Sequence, residues 1–374
     1  MKKIYLDNQS TTPVDPEVLE SMLPYFTERY GNASSKTHSY GWEAEAAIEI
    51  ARERIAKLIN CAPNELFFTS GATESNNIAV TSNNFFKHIL TLSTEHRAIL
   101  DICDILSKRG VIITYIKPEK DGIIDINIFK EKLKKNISLV SIMHANNEIG
   151  VIQPIEKIGK SCQQKDILFH VDAAQSIGKI NIDVKKMNID LLSISGHKIY
   201  GPKGIGALYI NKKLKINPIL FGGNQEKSIR PGTLPVPLIV GLGTASKISK
   251  NIMKKESKQI LELQNLLINK IKEKYPDVII NGDIEKRIYG NLNISFPTLK
   301  GQSIVTSLSK IAVSSGSACT SSIPKPSHVL LNIGLSKKLI QSSIRIGIGR
   351  FNTRNEILIA ADNIISTIKN KTQP

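Results

Sequence analysis

Leu66-Phe67-Phe68-Thr69-Ser70-Gly71-Ala72-Thr73-Glu74-Ser75 runs from a short apolar stretch through a hydroxyl- and glycine-bearing turn into a helical pattern. The apolar part reads as a buried strand, and the turn as the opening of the next helix. Working backwards, Glu43 to Asn60 repeats apolar residues at helical spacing: Ala47, Ile50, Ala51, Ile55 and Leu58. Working forwards, strands are predicted at 89–92, 111–116, 139–143, 168–171, 191–194 and 206–210, with helical patterns between most of them. The alternation predicts an α/β fold with a mainly parallel seven-stranded sheet covered on both faces. A ligand of such a sheet binds beyond the carboxyl ends of its strands.

Residues 244–274 carry a long amphipathic helical pattern, read as a connector between lobes. Shorter strands follow at 291–296, 312–314 and 343–348, mixed with helices, and predict a smaller α+β lobe. The N-terminal segment is compatible with packing on either lobe. No internal repeat or low-complexity linker interrupts the chain.

Of 374 residues, 41% are hydrophobic and 22% charged, which places the chain among ordinary globular proteins. No apolar run approaches the ~20 residues of a membrane-spanning helix. Met1-Lys2-Lys3-Ile4-Tyr5-Leu6-Asp7 meets an acidic residue too early for a secretory signal, so a cytoplasmic location is expected. Cys61, Cys103, Cys162 and Cys319 form no C-x-x-C pair, which argues against a disulfide framework and against a zinc knuckle. The histidines show no metal-ligand spacing either, and His38, His88 and His328 read as surface or structural. The net charge of +17 invites a nucleic-acid reading, but the lysines are scattered and no binding motif accompanies them. Contact with tRNA is expected to be indirect at most.

The chemistry gathers elsewhere. Asp172 ends an apolar strand pattern, and Lys198 follows in Ser195-Gly196-His197-Lys198. A lysine on such a turn and a carboxylate at a strand end are what pyridoxal phosphate needs. The amine forms a Schiff base, and the carboxylate keeps the pyridinium nitrogen protonated. The turn at 69–75 either binds a phosphate on its helix N-terminus or merely caps that helix through Ser70 or Thr73. Beside Lys198 and Asp172 the phosphate reading gains weight, and Ser195 and His197 would add donors to it. His96, after a strand end, either stacks on a cofactor ring or simply begins a helix. Asn147, in His144-Ala145-Asn146-Asn147-Glu148-Ile149-Gly150, belongs to a turn or contacts a ligand. Arg345 interrupts an apolar run and needs a carboxylate partner, structural or from a substrate. The glycine-rich stretch from Phe221 to Thr233 fits neither a Rossmann fingerprint nor a P-loop, and reads as a mobile loop or as a phosphate or subunit contact. Ser314-Ser315-Gly316-Ser317-Ala318-Cys319-Thr320-Ser321-Ser322 predicts an exposed loop whose thiol is incidental or nucleophilic.

Together these motifs, with Thr11-Thr12-Pro13-Val14-Asp15-Pro16 near the start, resemble the cysteine desulfurases of the class V aminotransferase superfamily nearly end to end. The similarity is nearest to the housekeeping iron–sulfur-cluster type, since Ser-Ser-Gly-Ser-Ala-Cys-Thr-Ser is specific to that group. The resemblance implies a fold-type I pyridoxal-phosphate enzyme that turns L-cysteine into L-alanine and leaves a persulfide on Cys319. It implies that Lys198 holds the cofactor and carries a proton. Asp172 would face the pyridinium nitrogen, Gln175 the phenolic oxygen and His96 the ring. Ala72, Thr73, Ser195 and His197 would hold the phosphate, Thr233 the phosphate of the other subunit of a homodimer, and Asn147 and Arg345 the substrate carboxylate.

Sulfur would pass to an iron–sulfur scaffold protein and to other acceptors, including those of tRNA thiolation. The implied division is 15–245 for the large cofactor-binding domain, and 1–14 with 246–374 for the small domain carrying the cysteine loop. Departures are Asn224, where a third glycine is usual, a shortened loop between Phe86 and Ile89, and an end at Pro374 where relatives continue into a scaffold-contacting tail. Alternatives are a selenocysteine lyase or another class V aminotransferase-type enzyme, a non-catalytic protein keeping the fold, and a basic nucleic-acid binder.

Overall fold

A computed structural model of the chain describes residues 3–82, 86–315 and 326–372. The first strand, β1 (Ile4–Tyr5), stands apart from the main sheet. That sheet is built from β2 (Leu66–Thr69), β3 (His88–Leu92), β4 (Ile112–Ile116), β5 (Leu139–Met143), β6 (Leu168–Asp172), β7 (Leu191–Ser195) and β8 (Gly206–Ile210). Its order is β2-β8-β7-β6-β5-β3-β4, and β8 alone runs against the others. The expected seven-stranded, mainly parallel sheet is therefore present.

Alternation along each strand explains why the sheet needs cover on both sides. Phe68, Leu90, Val140 and Leu192 enter one apolar core, while their neighbours Phe67, Ile89, Leu139 and Leu191 enter another on the opposite face. Helices α1 (Pro16–Met22), α2 (Pro24–Thr27), α3 (Ser39–Ile59), α4 (Ala72–Thr81), α5 (Arg97–Lys108), α6 (Ile126–Lys132) and α7 (Ile155–Gln164) accompany these strands. Helix α3 begins before the predicted Glu43, because the His38 ring accepts from Gly41 N–H and caps it.

Helix α8 (Val236–Lys274) runs for 39 residues and starts well before the predicted 244. Pro237 suits a first helical turn. Gly241 and Gly243, which weaken the local helical pattern, are there for packing. A Cβ on Gly243 would lie 2.6 Å from the Ala51 backbone, and one on Gly241 would lie 2.6 Å from Met22 Sδ. The helix leaves the first core at Ala245 and enters a separate one at Ile260. That second core lies under β9 (Ile279–Ile280), β10 (Asn291–Ser295), β11 (Ile311–Ala312), β12 (Ser343–Gly347) and the last helix, α11 (Arg354–Thr372), while α9 (His328–Asn332) and α10 (Lys337–Gln341) pack on Ile149 and Val151 in a smaller cluster. Strands β12, β10 and β9 form an antiparallel sheet, and β1 pairs with β11.

The N-terminal segment packs on both bodies. After β1, Thr12 N–H donates to His197 O and Asp15 N–H to Tyr200 O, so residues 8–15 cross from the small sheet to the turn after β7. Among the described residues, no helix is long and apolar enough to cross a membrane.

Candidate active site

A cavity of about 460 Å³ opens where β2, β5, β6 and β7 end, the edge the topology predicts. Ala72, Thr73, His96, Asn147, Asp172, Gln175, Ser195, His197, Lys198 and Arg345 all border it. Parallel strands place their carboxyl ends side by side, so turns distant in sequence meet there.

At the β2–α4 turn the helix caps at Gly71 without any side-chain hydrogen bond. Thr69 Oγ1 is instead 2.8 Å from Ser75 Oγ, and Glu74 Oε2 accepts from Ser70 N–H at 2.6 Å. The capping alternative for Ser70 and Thr73 is thus not what is built. Gly71 has φ +151 and an added Cβ there would meet nothing within 4 Å, so this turn faces open space. First-turn N–H groups lack intrahelical acceptors and sit at the positive end of the helix dipole. Ser195 and His197 border the same cavity, and His197 Nδ1 lies 3.0 Å from Thr11 Oγ1. Burial first, and then Lys198, Lys203 and Lys179, push the His197 pKa down to about 4, so its ring is neutral. N–H and O–H donors around a helix N-terminus are the donor set a phosphate requires.

Asp172 is buried, and both its oxygens are fixed. Oδ2 accepts from Asn76 Nδ2 at 2.7 Å and Oδ1 from Ala174 N–H at 2.9 Å. Lys198 Nζ donates to Gln9 O at 2.7 Å and Ser10 O at 2.6 Å, which holds the amine against the N-terminal crossing segment. Gln175 Nε2 donates to the same Gln9 carbonyl at 2.8 Å. A carboxylate, an amine and an amide around one cavity, beside a phosphate-type turn, fit pyridoxal phosphate.

His96 begins a helix, as the N-cap of α5 with its Nδ1 accepting from Ala98 N–H at 3.1 Å, and also borders the cavity. Burial lowers its pKa, outweighing Asp172. The cap bond occupies Nδ1, so the neutral ring carries its proton on Nε2.

Arg345 finds the partner its position demanded. Nη2 lies 2.9 Å from Asp7 Oδ1 and Nη1 donates to Asn147 O at 3.1 Å, while the buried Nε has no hydrogen-bond partner among the described residues. Thr233 is exposed and does not border the cavity of its own chain. Cys319 lies outside the described residues. Burial first pushes the thiols of Cys61, Cys103 and Cys162 up to about 12, which makes them poor nucleophiles at neutral pH.

Sequence reasoning missed Gln9, Ser10 and Asn76 as parts of the site. For Asn76 the signal was an asparagine on the buried side of α4, fully covered where an apolar residue belongs. For Gln9 and Ser10 the contribution is backbone carbonyl, which residue type does not disclose. The glycine-rich stretch is pinned rather than loose: Glu226 is buried, bonded to Arg52 at 2.8 and 3.0 Å and to Phe68 N–H at 2.7 Å.

Comparison with known proteins agrees with this geometry. A profile of the family described as aminotransferase class-V matches residues 4–359. The chain is 54% identical over 374 residues to a cysteine desulfurase IscS of Ehrlichia chaffeensis, covering 98% of this chain and 91% of that relative. Among solved structures, a NifS-like protein superposes with a TM-score of 0.91 at 34% identity, over 99% of this chain and 100% of the other. Another, titled SspA in complex with cysteine, gives 0.84 at 39% identity, over 94% of this chain and 100% of the other.

Proposed function

The chain belongs to the aminotransferase class-V family, and from that premise we propose that it is a pyridoxal-phosphate-dependent cysteine desulfurase of fold type I. It converts L-cysteine to L-alanine and supplies the sulfur for iron–sulfur cluster assembly. The observation that carries this reading is the meeting of Lys198, Asp172 and the uncapped β2–α4 turn at one cavity.

When bound, pyridoxal phosphate supplies an electron sink for negative charge at the substrate α-carbon. Lys198 would hold it and then move a proton at Nζ. Asp172, kept in place by Asn76 and Ala174 N–H, would pair with its ring nitrogen. Gln175 would face its phenolic oxygen, and Ala72, Thr73, Ser195 and His197 its phosphate. His96 would cover the ring and present Nε2–H for proton transfer. Asn147 and Arg345 would hold the L-cysteine carboxylate, the free Nε of Arg345 being a donor not spent on Asp7. The Cys319 thiolate then attacks the substrate sulfur. The bond from Cβ to sulfur breaks, a sulfur–sulfur bond forms on Cys319, and L-alanine leaves. One cysteine plus one enzyme thiol gives one alanine plus one persulfide, with no external oxidant.

The same reading makes the chain a homodimer in which Thr233 of each subunit serves the other's phosphate. An exposed apolar group on α1 to α3, with Leu23, Phe26, Tyr30, Tyr40 and Trp42, supports it. The separation of the cores along α8 supports a large domain of 15–245 and a small one of 1–14 with 246–374. The persulfide would pass to a scaffold protein or to other acceptors in the cytoplasm. Borohydride reduction of the yellow protein followed by peptide mapping tests the assignment of the cofactor. The adduct is expected on Lys198, and an adduct on another lysine contradicts the site.

A further inference from the structure

Glu74 presents a difficulty for the reading above. It lies in the first turn of α4 and borders the cavity at the end assigned to the phosphate, where a carboxylate repels a dianion. Its charge is answered by Arg230. Arg230 Nε lies 2.8 Å from Glu74 Oε1 and Nη2 lies 3.4 Å from Oε2, with both side chains largely buried. Oε2 also accepts from Ser70 N–H at 2.6 Å, so one carboxylate ties the turn before α4 to the loop around Arg230.

Arg230 stands three residues before Thr233. The loop leading to them is tied down: Gly232 N–H donates to Gln225 Oε1 at 3.0 Å, and Glu226 anchors the loop on Arg52 and Phe68 N–H. Glu226, Lys227 and Ser228 all have left-handed backbone, with φ of 48, 53 and 64, a course kept only where contacts impose it. The loop that delivers Thr233 is therefore held by the helix end of its own chain's cavity.

We propose that Arg230 is a positioning residue for cofactor phosphate, neutralising Glu74 at the helix end of its own site and setting the loop that carries Thr233 to the other subunit. The proposal rests on the pyridoxal-phosphate reading. Its test compares pyridoxal phosphate with pyridoxal, which lacks the phosphate, by titrating the full chain and following the visible absorption band.

Arg230→Ala is expected to weaken pyridoxal phosphate about tenfold and to leave pyridoxal almost unchanged. Adding Glu74→Gln to Arg230→Ala recovers the part of the loss due to the unanswered charge but not the part due to the released loop, and Arg230→Lys, which keeps the charge, loses less than Arg230→Ala. A general folding defect would instead weaken both compounds equally and resist the second substitution, and that result overturns the proposal. So does unchanged phosphate affinity in Arg230→Ala when Thr233→Ala weakens it. Failure of the underlying reading looks different: the unsubstituted chain binds neither compound, and the proposal falls with it.

Discussion

Asn76 Nδ2 donates to Asp172 Oδ2 at 2.7 Å, so the helix that opens at the phosphate turn also orients the carboxylate at the end of β6. A buried hydrogen bond to a charged group is worth about 1.5–3 kcal/mol. Asn76→Ala is expected to lower kcat at least about tenfold, by that magnitude, with KM little changed. Asn76→Asp is worse, because a second carboxylate beside Asp172 makes one of them take up a proton. Steady-state kinetics on cofactor-loaded protein decide it, and an unchanged kcat in Asn76→Ala removes Asn76 from the account.

The Arg52–Glu226 pair makes a prediction about stability. Both groups are buried, and Glu226 also takes the Phe68 N–H. Removing Glu226 leaves the buried Arg52 with only the exposed Glu49, 3.1 Å from its Nε, and breaking a buried pair costs about 3–5 kcal/mol. Glu226→Ala should lower the urea midpoint of unfolding accordingly. Loss of under about 1 kcal/mol, the range of exposed pairs, would mean that the loop is not anchored as described.

Acid should work against the fold at its buried histidines. Burial lowers the pKa of both His144 and His170 to about 4, and His170 sits between Ser141 Oγ and Ser193 Oγ at 2.9 and 3.0 Å. The unfolded chain binds these protons near pH 6.5 and the folded one only near 4, so the unfolded state holds more protons in between. The share of stability each histidine carries is full above pH 6.5 and falls as pH drops towards 4, by on the order of 3 kcal/mol at 1.36 kcal/mol per pH unit. The buried carboxyls of Glu148, pushed up to about 7, and of Glu95, also pushed up, act in the opposite direction over the same range. From pH 7.5 to 5.5 and 4.5, the urea midpoint of His170→Asn should gain steadily on that of the unsubstituted protein, because the variant lacks one of the two opposing histidines. Parallel profiles for the two proteins would contradict this origin.

Legibility in the sequence followed how local the cause was. The strands of the main sheet could be read because each buries both faces in a short apolar run, as at Leu139–Met143. That Lys198 and Asp172 would meet could be read because a parallel sheet brings the carboxyl ends of its strands together. Helix α8 was read short because Gly241 and Gly243 weaken a helical pattern, while their purpose, the close approach of Met22 and Ala51, comes from distant residues. The Lys198 contacts at Gln9 and Ser10 are made by carbonyls, which every residue has. The partner of Arg345 was left open for the same reason: Asp7 reaches it from the far end of the chain.

The central claim is that sulfur leaves L-cysteine for a thiol of this chain while Lys198 and Asp172 serve the cofactor. The most direct measurement is a single-turnover reaction of the yellow protein with L-cysteine and no added reductant, with alanine and protein persulfide quantified together. The account predicts one alanine per active site and one persulfide, mapped by mass spectrometry to Cys319 and absent from Cys319→Ser. Alanine without persulfide, or neither product from cofactor-loaded protein, would contradict it.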